Sequence, residues 1–280
     1  MKKDVYSYVI SMPYPRNTQS RSRAPRRDEK TSWEPAAKWY GKHLKEEDTY
    51  QTTIIFPKTL ALLAPKKGSV YLDIACGEGS FLKEVSKKGG TVFGFDISSS
   101  VVRQAQEKHI HGATLRVANA KEFARYYTEK SFDGATCILA IQNIDDMEAV
   151  FRDAAKVLRP GAPFVIVLNH PVLRTPRQTS WGYDEGKKMQ YRRIDGYLIQ
   201  NEIPILVHPG QGERSERTFS FHRPLQDYVT ALASAGFVID GLEEWSSDRR
   251  SESGERARTE NRSRNEIPLF MAIRARLLKK

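Results

Sequence analysis

Cysteine is nearly absent: Cys76 and Cys137 are the only two in 280 residues, and each sits inside an apolar, strand-like run. Two such thiols exclude a disulfide framework and make a metal site an unexpected feature. They fit buried side chains in a reducing, cytoplasmic setting. Long hydrophobic runs are missing as well. No stretch approaches the about 18 apolar residues that a membrane span needs, so no membrane partner is expected. Met1-Lys2-Lys3 could open a targeting signal, but the apolar residues Val5, Tyr6, Tyr8, Val9 and Ile10 are interrupted by Ser7, Ser11 and Pro13 before any signal core forms. No internal repeat is evident.

Acidic residues are outnumbered. Lys and Arg total 45 against 34 Asp and Glu, leaving a net charge of +11. Such an excess can mark a polyanionic partner. Much of it, however, lies in residues 16–30, a basic stretch so poor in apolar side chains that it cannot offset its own ordering entropy. Residues 1–30 therefore read as a disordered basic tail that keeps the chain in solution. Nucleic acid is a less favoured partner than a small molecule.

From residue 67 onward, short apolar runs alternate with amphipathic segments of helical period, the pattern of a parallel sheet covered by helices. Strands are expected at 70–74, 91–95, 113–117, 134–141 and 164–168. Helices are expected at 80–88, from Ser98 or Ser99 onward, at 121–127 and at 146–158. The rhythm then stops. Residues 169–223 are rich in Pro, Arg, Trp, Tyr and Gly, with extended stretches at 197–199, 203–207 and 218–221. A connection this long reads as a functional insertion, a lid over the substrate. A helix at 224–235 and strands at 237–242 and 267–274 finish the sheet, and the nearly apolar-free segment 246–266 between them reads as a solvated, charged excursion. Upstream, residues 31–66 form an aromatic, largely helical cap. The expected fold is thus a Rossmann-like, seven-stranded, mostly parallel α/β sheet with helices on both faces, its cofactor-binding core at 67–168.

The loop after the first strand carries Gly77 and Gly79. Glycines there let backbone approach a ligand and aim helix N-terminal amides at it. A dinucleotide-binding turn would place a third glycine three residues later, where this chain has Leu82, which weighs against NAD. Asp73-Ile74-Ala75-Cys76-Gly77-Glu78-Gly79 resembles instead the first motif of the class I S-adenosylmethionine-dependent methyltransferases. Phe93-Gly94-Phe95-Asp96-Ile97 resembles their second motif, Ala118-Asn119-Ala120-Lys121 the third and Leu139-Ala140-Ile141-Gln142-Asn143-Ile144 the fourth. Val157-Leu158-Arg159-Pro160-Gly161-Ala162 resembles the helix-turn-strand signal that follows. Asn119 stands where many members have Asp.

The resemblance implies S-adenosyl-L-methionine as cofactor. It implies Asp73, Ala75, Gly77 and Gly79 around the aminoacyl portion, and Asp96 accepting from the ribose hydroxyls with Ile97 beside it. Asn119 and Ala120 would meet adenine, and Ala140 and Gln142 would lie near the transferred methyl. Separately from the motifs, Tyr40 and Trp39 of the N-terminal cap read either as rings that close over the cofactor or as packing of the cap itself. A carboxylate suits the ribose because it only accepts hydrogen bonds. Asp96 also has a purely structural reading, as a cap for the helix that follows.

Asn169-His170-Pro171 and Phe221-His222-Arg223-Pro224-Leu225 resemble a type 11-like, bacterial small-molecule branch of the same family. His170 and His222 are the candidate general bases, because imidazole titrates near neutral pH. Arg177, Trp181, Tyr183, Tyr191 and Arg223 are the candidate substrate contacts. Together with Arg174, Arg192, Arg193 and Tyr197 they fill the insertion with cations and rings, which suits an acidic or aromatic acceptor. The reaction expected is methyl transfer to an O, N or C atom of a small molecule, releasing S-adenosylhomocysteine. Two alternatives stay open: an RNA or tRNA methyltransferase, and a non-catalytic scaffold that retains the cofactor fold.

Overall fold

The computed structural model describes residues 49–176, 178–206 and 217–278. Tyr40, Trp39, Arg177 and the basic tail lie outside them. Seven strands form one sheet. In chain order they are β1 (Val70–Ile74), β2 (Thr91–Asp96), β3 (Ala113–Val117), β4 (Gly134–Ile138), β5 (Pro163–Asn169), β10 (Phe237–Trp245) and β11 (Phe270–Leu277), and they lie side by side as β10-β11-β5-β4-β1-β2-β3. The pairs β3·β2, β2·β1, β1·β4 and β4·β5 are parallel, and β11 runs antiparallel to both β5 and β10. This is the Rossmann-like sheet expected.

Both faces of the sheet are covered, which is why its central strands carry apolar side chains on consecutive positions. Along β5, Phe164, Ile166 and Leu168 join a core that takes in α4 (Met147–Val157) and α5 (Leu225–Ser234). Val165 and Val167 point the other way, into a core with α1 (Phe56–Leu63) and α2 (Ser80–Lys87). A wide turn, Gln51–Ile55, leads into α1, where Pro57 cannot donate an i→i−4 hydrogen bond. Side-chain caps start two further helices. Ser98 Oγ accepts from Val101 N at 3.3 Å ahead of α3 (Ser99–Glu107), and Asp146 Oδ1 accepts from Ala149 N at 2.8 Å ahead of α4.

Three expectations need correction. β4 ends at Ile138 rather than Ile141, because Leu139 turns to a left-handed φ of 54° and Ile141–Asn143 winds into a short 3₁₀ turn. The helix expected over 121–127 is only the 3₁₀ turn Phe123–Tyr126. Residues 197–199 are a turn closed by Ile199 N on Gly196 O at 3.0 Å, not a strand. The insertion instead holds two antiparallel hairpins: β6 (Thr179–Asp184) with β7 (Met189–Ile194), and β8 (Asn201–Leu206) with β9 (Arg217–His222).

The charged excursion contains α6 (Ala257–Glu266), and it is not wholly solvated. Ser263 is buried and donates to Gln190 O at 3.2 Å, and Arg256 pairs with Glu185 at 2.5 Å, so α6 packs on the β6–β7 hairpin. Among the described residues no helix is long and apolar enough to cross a membrane.

Candidate functional site

The carboxyl ends of β3, β2, β1 and β4 lie next to one another in that order, so the four motif loops meet along one sheet edge. Ligands bind at this edge of open α/β sheets. After β1 the chain reverses sharply: Ala75, Gly77 and Gly79 all adopt left-handed φ values, 56°, 54° and 75°. Cys76 N donates to Phe95 O at 2.8 Å and Gly79 N to Cys76 O at 3.0 Å, which fixes the loop against β2. A side chain at Gly77 would meet nothing within 4 Å, so the glycine borders open space. At Gly79 a Cβ would approach Ile110 Cδ1 to 2.9 Å, so that glycine serves packing.

Asp96 ends β2 and does two things at once. Its Oδ2 accepts from Gly77 N at 3.1 Å and its Oδ1 from Ser98 N at 3.0 Å. Loop and helix start are thereby tied to one carboxylate, a group that only accepts hydrogen bonds and offers about four acceptor sites when ionised. Beside it Ile97 is 39% exposed, an apolar side chain facing outward at the sheet edge. On the neighbouring strand end, Asn119 Oδ1 accepts from Lys121 N at 3.0 Å, holding the turn in which Ala120 is buried. After β4, Gln142 is buried; its Nε2 donates to Leu139 O at 3.0 Å and its Oε1 has no partner. A buried acceptor without a donor costs about 1–3 kcal/mol.

Asp73 lies under the loop, 3% exposed, and takes a 2.6 Å hydrogen bond from Thr136 Oγ1. Burial pushes its carboxyl up from 3.8 to about 7, against the lowering by Thr136 and with a smaller push from the Asp96 charge. A carboxyl raised on folding contributes stability that is complete below its unfolded value, near 3.8, and is lost as pH rises through about 7. Thermal unfolding of the ligand-free protein should therefore show Asp73→Asn gaining on the wild type as pH goes from about 5 to about 8. A gap independent of pH contradicts this. Burial also raises the thiols of Cys76 and Cys137, both free.

Neither histidine presents a ring nitrogen to this edge. His170 follows β5 and is buried; its Nδ1 accepts from Leu173 N at 3.4 Å, which leaves Nε2 to donate to Glu244 Oε1 at 2.6 Å. Burial lowers its pKa, against the pull of Glu244. His222 ends β9, with Nε2 donating to Tyr197 O at 2.7 Å and Nδ1 3.1 Å from Thr175 Oγ1. Both imidazoles fasten the insertion: Leu173 N occupies the Nδ1 lone pair of His170, whereas the Thr175 hydroxyl beside His222 Nδ1 gives its proton to Pro171 O at 2.6 Å.

The candidate substrate contacts are divided. In the register of the first hairpin, Thr179, Trp181 and Tyr183 share a face with Arg192, while Tyr191 lies on the opposite face, 47% exposed, with its ring across Gly182. Tyr183 is covered by Arg256, whose Cζ is 4.3 Å from the ring centroid. Arg223 is buried, and its Nη2 donates to Ile144 O at 2.8 Å and Asp145 O at 2.7 Å, clamping the loop that carries Gln142.

Two features escaped the motif reading. Thr218 and Ser220 on β9 lie against the Gln142 turn: Ser220 Oγ donates to Gln142 O at 3.3 Å, and Thr218 Oγ1 is buried without a partner. Gly94 on β2 is the other. A Cβ there would come within 2.6 Å of Leu82 Cδ1 and 2.9 Å of Cys76 Sγ, so the close approach of α2 to the sheet is provided by the strand rather than by a third glycine in the helix.

Comparison with known proteins agrees with this geometry. Residues 72–166 match the family model described as a methyltransferase domain. Over 113 residues the chain is 29% identical to a demethylmenaquinone methyltransferase of Tropheryma whipplei, covering 39% of this chain and 46% of that one. Over 116 residues it is 30% identical to a ubiquinone biosynthesis O-methyltransferase of Xanthomonas oryzae, covering 39% and 45%. The chain thus spans just under half the length of these relatives. Among solved structures, an S-adenosylmethionine-dependent methyltransferase from Mesorhizobium loti superposes with a TM-score of 0.64 at 24% identity, over 82% of this chain and 99% of that one, a likeness of fold. Sheet order, motif loops and family match coincide on the same residues: residues 72–166 match a methyltransferase domain, on a fold like that of a solved S-adenosylmethionine-dependent methyltransferase.

Proposed function

We propose that the protein transfers a methyl group from S-adenosylmethionine to an O, N or C atom of a small-molecule acceptor and releases S-adenosylhomocysteine. The observation that carries this reading is the Asp96 carboxylate, held between Gly77 N and Ser98 N beside the open side of a left-handed glycine. The residues fit the cofactor: space at Gly77, the exposed Ile97 and the unpartnered Oε1 of Gln142 are features a folded chain gains from only with a ligand present. When bound, S-adenosylmethionine supplies a methyl group on a sulfonium, ready for in-line displacement.

The chain's own part is to bind and align. Asp96 accepts from the ribose hydroxyls, and Ala75, Gly77 and Gly79 bring backbone against the aminoacyl end above Asp73. Asn119, Ala120 and Ile97 flank the adenine, and Ala140 and Gln142 border the reacting end. Alignment alone is worth up to about 7–11 kcal/mol in favourable cases, so the displacement does not depend on a histidine base. The described part of the insertion, residues 169–176, 178–206 and 217–223, forms the acceptor side, with β9 seated on the Gln142 turn. The named relatives, a demethylmenaquinone methyltransferase and a ubiquinone biosynthesis O-methyltransferase, support a small organic acceptor.

The test is incubation of the full chain with methyl-labelled cofactor and a metabolite extract, with and without nuclease. Label is expected in low-molecular-weight, nuclease-resistant products. Label confined to a nuclease-sensitive fraction would replace this reading with an RNA methyltransferase.

A further inference from the structure

Two arginines converge on one indole in the segment after β5. Arg192 Cζ lies 5.1 Å and Arg174 Cζ 5.8 Å from the Trp181 ring centroid. Arg192 is fixed in place: Nε donates to Leu173 O at 2.8 Å and Nη2 to Thr179 Oγ1 at 2.7 Å. Both partners are neutral. The hairpin's acids are engaged elsewhere, Asp195 by Arg193 at 3.0 Å, Glu185 by Lys188 at 3.3 Å and by Arg256 at 2.5 Å, and Asp184 Oδ1 by Lys187 N at 2.9 Å. Among the described residues, no carboxylate lies within ion-pair distance of Arg192.

A half-buried guanidinium with only neutral partners is unfavourable, because desolvation of the cation is not balanced by an opposite charge. The strain is visible in its titration: burial lowers Arg192 from 12.5 to about 10, still cationic at neutral pH. Arg174 adds to the field, since its charge lowers the pKa of His170 at the carboxyl end of β5. That strand neighbours β4, whose loop holds Gln142. The positive cluster therefore sits on the acceptor side of the sheet edge. Nη1 of Arg192 is committed to no acceptor among the described residues, and a planar guanidinium presents its N–H groups in a fork that fits a carboxylate or phosphate.

We propose that Arg192, backed by Arg174 and Trp181, is the anion-binding subsite of the acceptor pocket, so that the methyl acceptor carries an oxyanion, a carboxylate or a phosphate. The inference rests on the methyltransferase reading for the word acceptor, but the subsite can be tested without catalysis. Arg192 is a binding residue in this account, and the same contact sets specificity: a neutral analogue would leave its charge uncompensated.

The experiment is titration of the full chain, with and without saturating S-adenosylhomocysteine, with benzoate, phenyl phosphate and benzamide, followed by ligand-observed NMR. At least one of the two anions should bind tenfold or more tightly than benzamide. That preference should vanish in Arg192→Gln and be partly kept in Arg192→Lys, which retains the charge without the fork. Preference for benzoate identifies a carboxylate acceptor, preference for phenyl phosphate a phosphorylated one. Benzamide binding as well as the anions, absence of anion binding, or an Arg192→Gln variant with wild-type anion affinity overturns the proposal. Failure of S-adenosylhomocysteine to bind while the anion preference persists would instead overturn the methyltransferase reading.

Discussion

Asp96→Ala should weaken S-adenosylmethionine binding at least tenfold, a loss of about 1.4 kcal/mol or more. A hydrogen bond to a charged group contributes about 1.5–3 kcal/mol, and the ribose offers the carboxylate two donors. The substitution also releases Gly77 N and Ser98 N from their 3.1 and 3.0 Å bonds, so the loop loses the anchor that holds it against β2. A purely structural role for Asp96, as a brace for the start of α3, predicts something different: lower thermal stability with unchanged cofactor affinity. Ser98→Ala provides the control. It removes the true side-chain cap, the 3.3 Å bond from Val101 N, and should cost about 0.5–2 kcal/mol of stability while leaving cofactor affinity within about twofold. Calorimetric titration of both variants separates the two roles.

Arg223→Ala should destabilise the fold by about 3 kcal/mol, lowering Tm by roughly 6 to 12 °C. The buried guanidinium serves the carbonyls of Ile144 and Asp145 through one nitrogen and lies over Phe221, its Cζ 5.4 Å from the ring centroid. Truncation strips those carbonyls of charge-assisted donors and leaves a void beneath β9. The loop so clamped carries Gln142 on one side and the Asp146 cap of α4 on the other, so cofactor affinity should also fall. Had Arg223 been a substrate contact alone, melting of the ligand-free protein would not change. Thermal denaturation monitored by circular dichroism decides between these outcomes.

Where local chemistry determines local structure, the chain could be read directly. β1 falls on its expected residues because it is a short, largely apolar run bounded by turn-forming residues, and Ser98 and Asp146 cap helices because a short polar acceptor precedes an amphipathic stretch. Asp73, Gly77 and Asp96 could be singled out on another ground, because the motifs around them resemble those of the S-adenosylmethionine-dependent methyltransferases. The insertion resisted. β6 and β7 carry polar and aromatic residues on both faces, so no period-two hydrophobic pattern stands out; the available signal was Asp184-Glu185-Gly186 between two aromatic runs, a turn that Asp184 closes on Lys187 N at 2.9 Å.

The histidines illustrate a deeper difficulty. His170 and His222 are chemically able to act as bases, and their positions after β5 and β9 invite that role. What ties them into the fold is the company they keep: besides Leu173 N on His170 Nδ1, these are Glu244, from β10, and Thr175 with Tyr197, from turns within the insertion, all distant in sequence from the ring they meet. Gly94 is similar. Leu82 was read as a missing glycine, whereas the space it needs is found on the facing strand.

The central claim, that residues 72–166 hold S-adenosylmethionine rather than a dinucleotide, is tested most directly by calorimetric titration of the full chain with S-adenosylhomocysteine and, in parallel, with NAD. Saturable one-to-one binding of S-adenosylhomocysteine and no heat from NAD is the predicted result. Binding of NAD in preference, or of neither ligand, would contradict it.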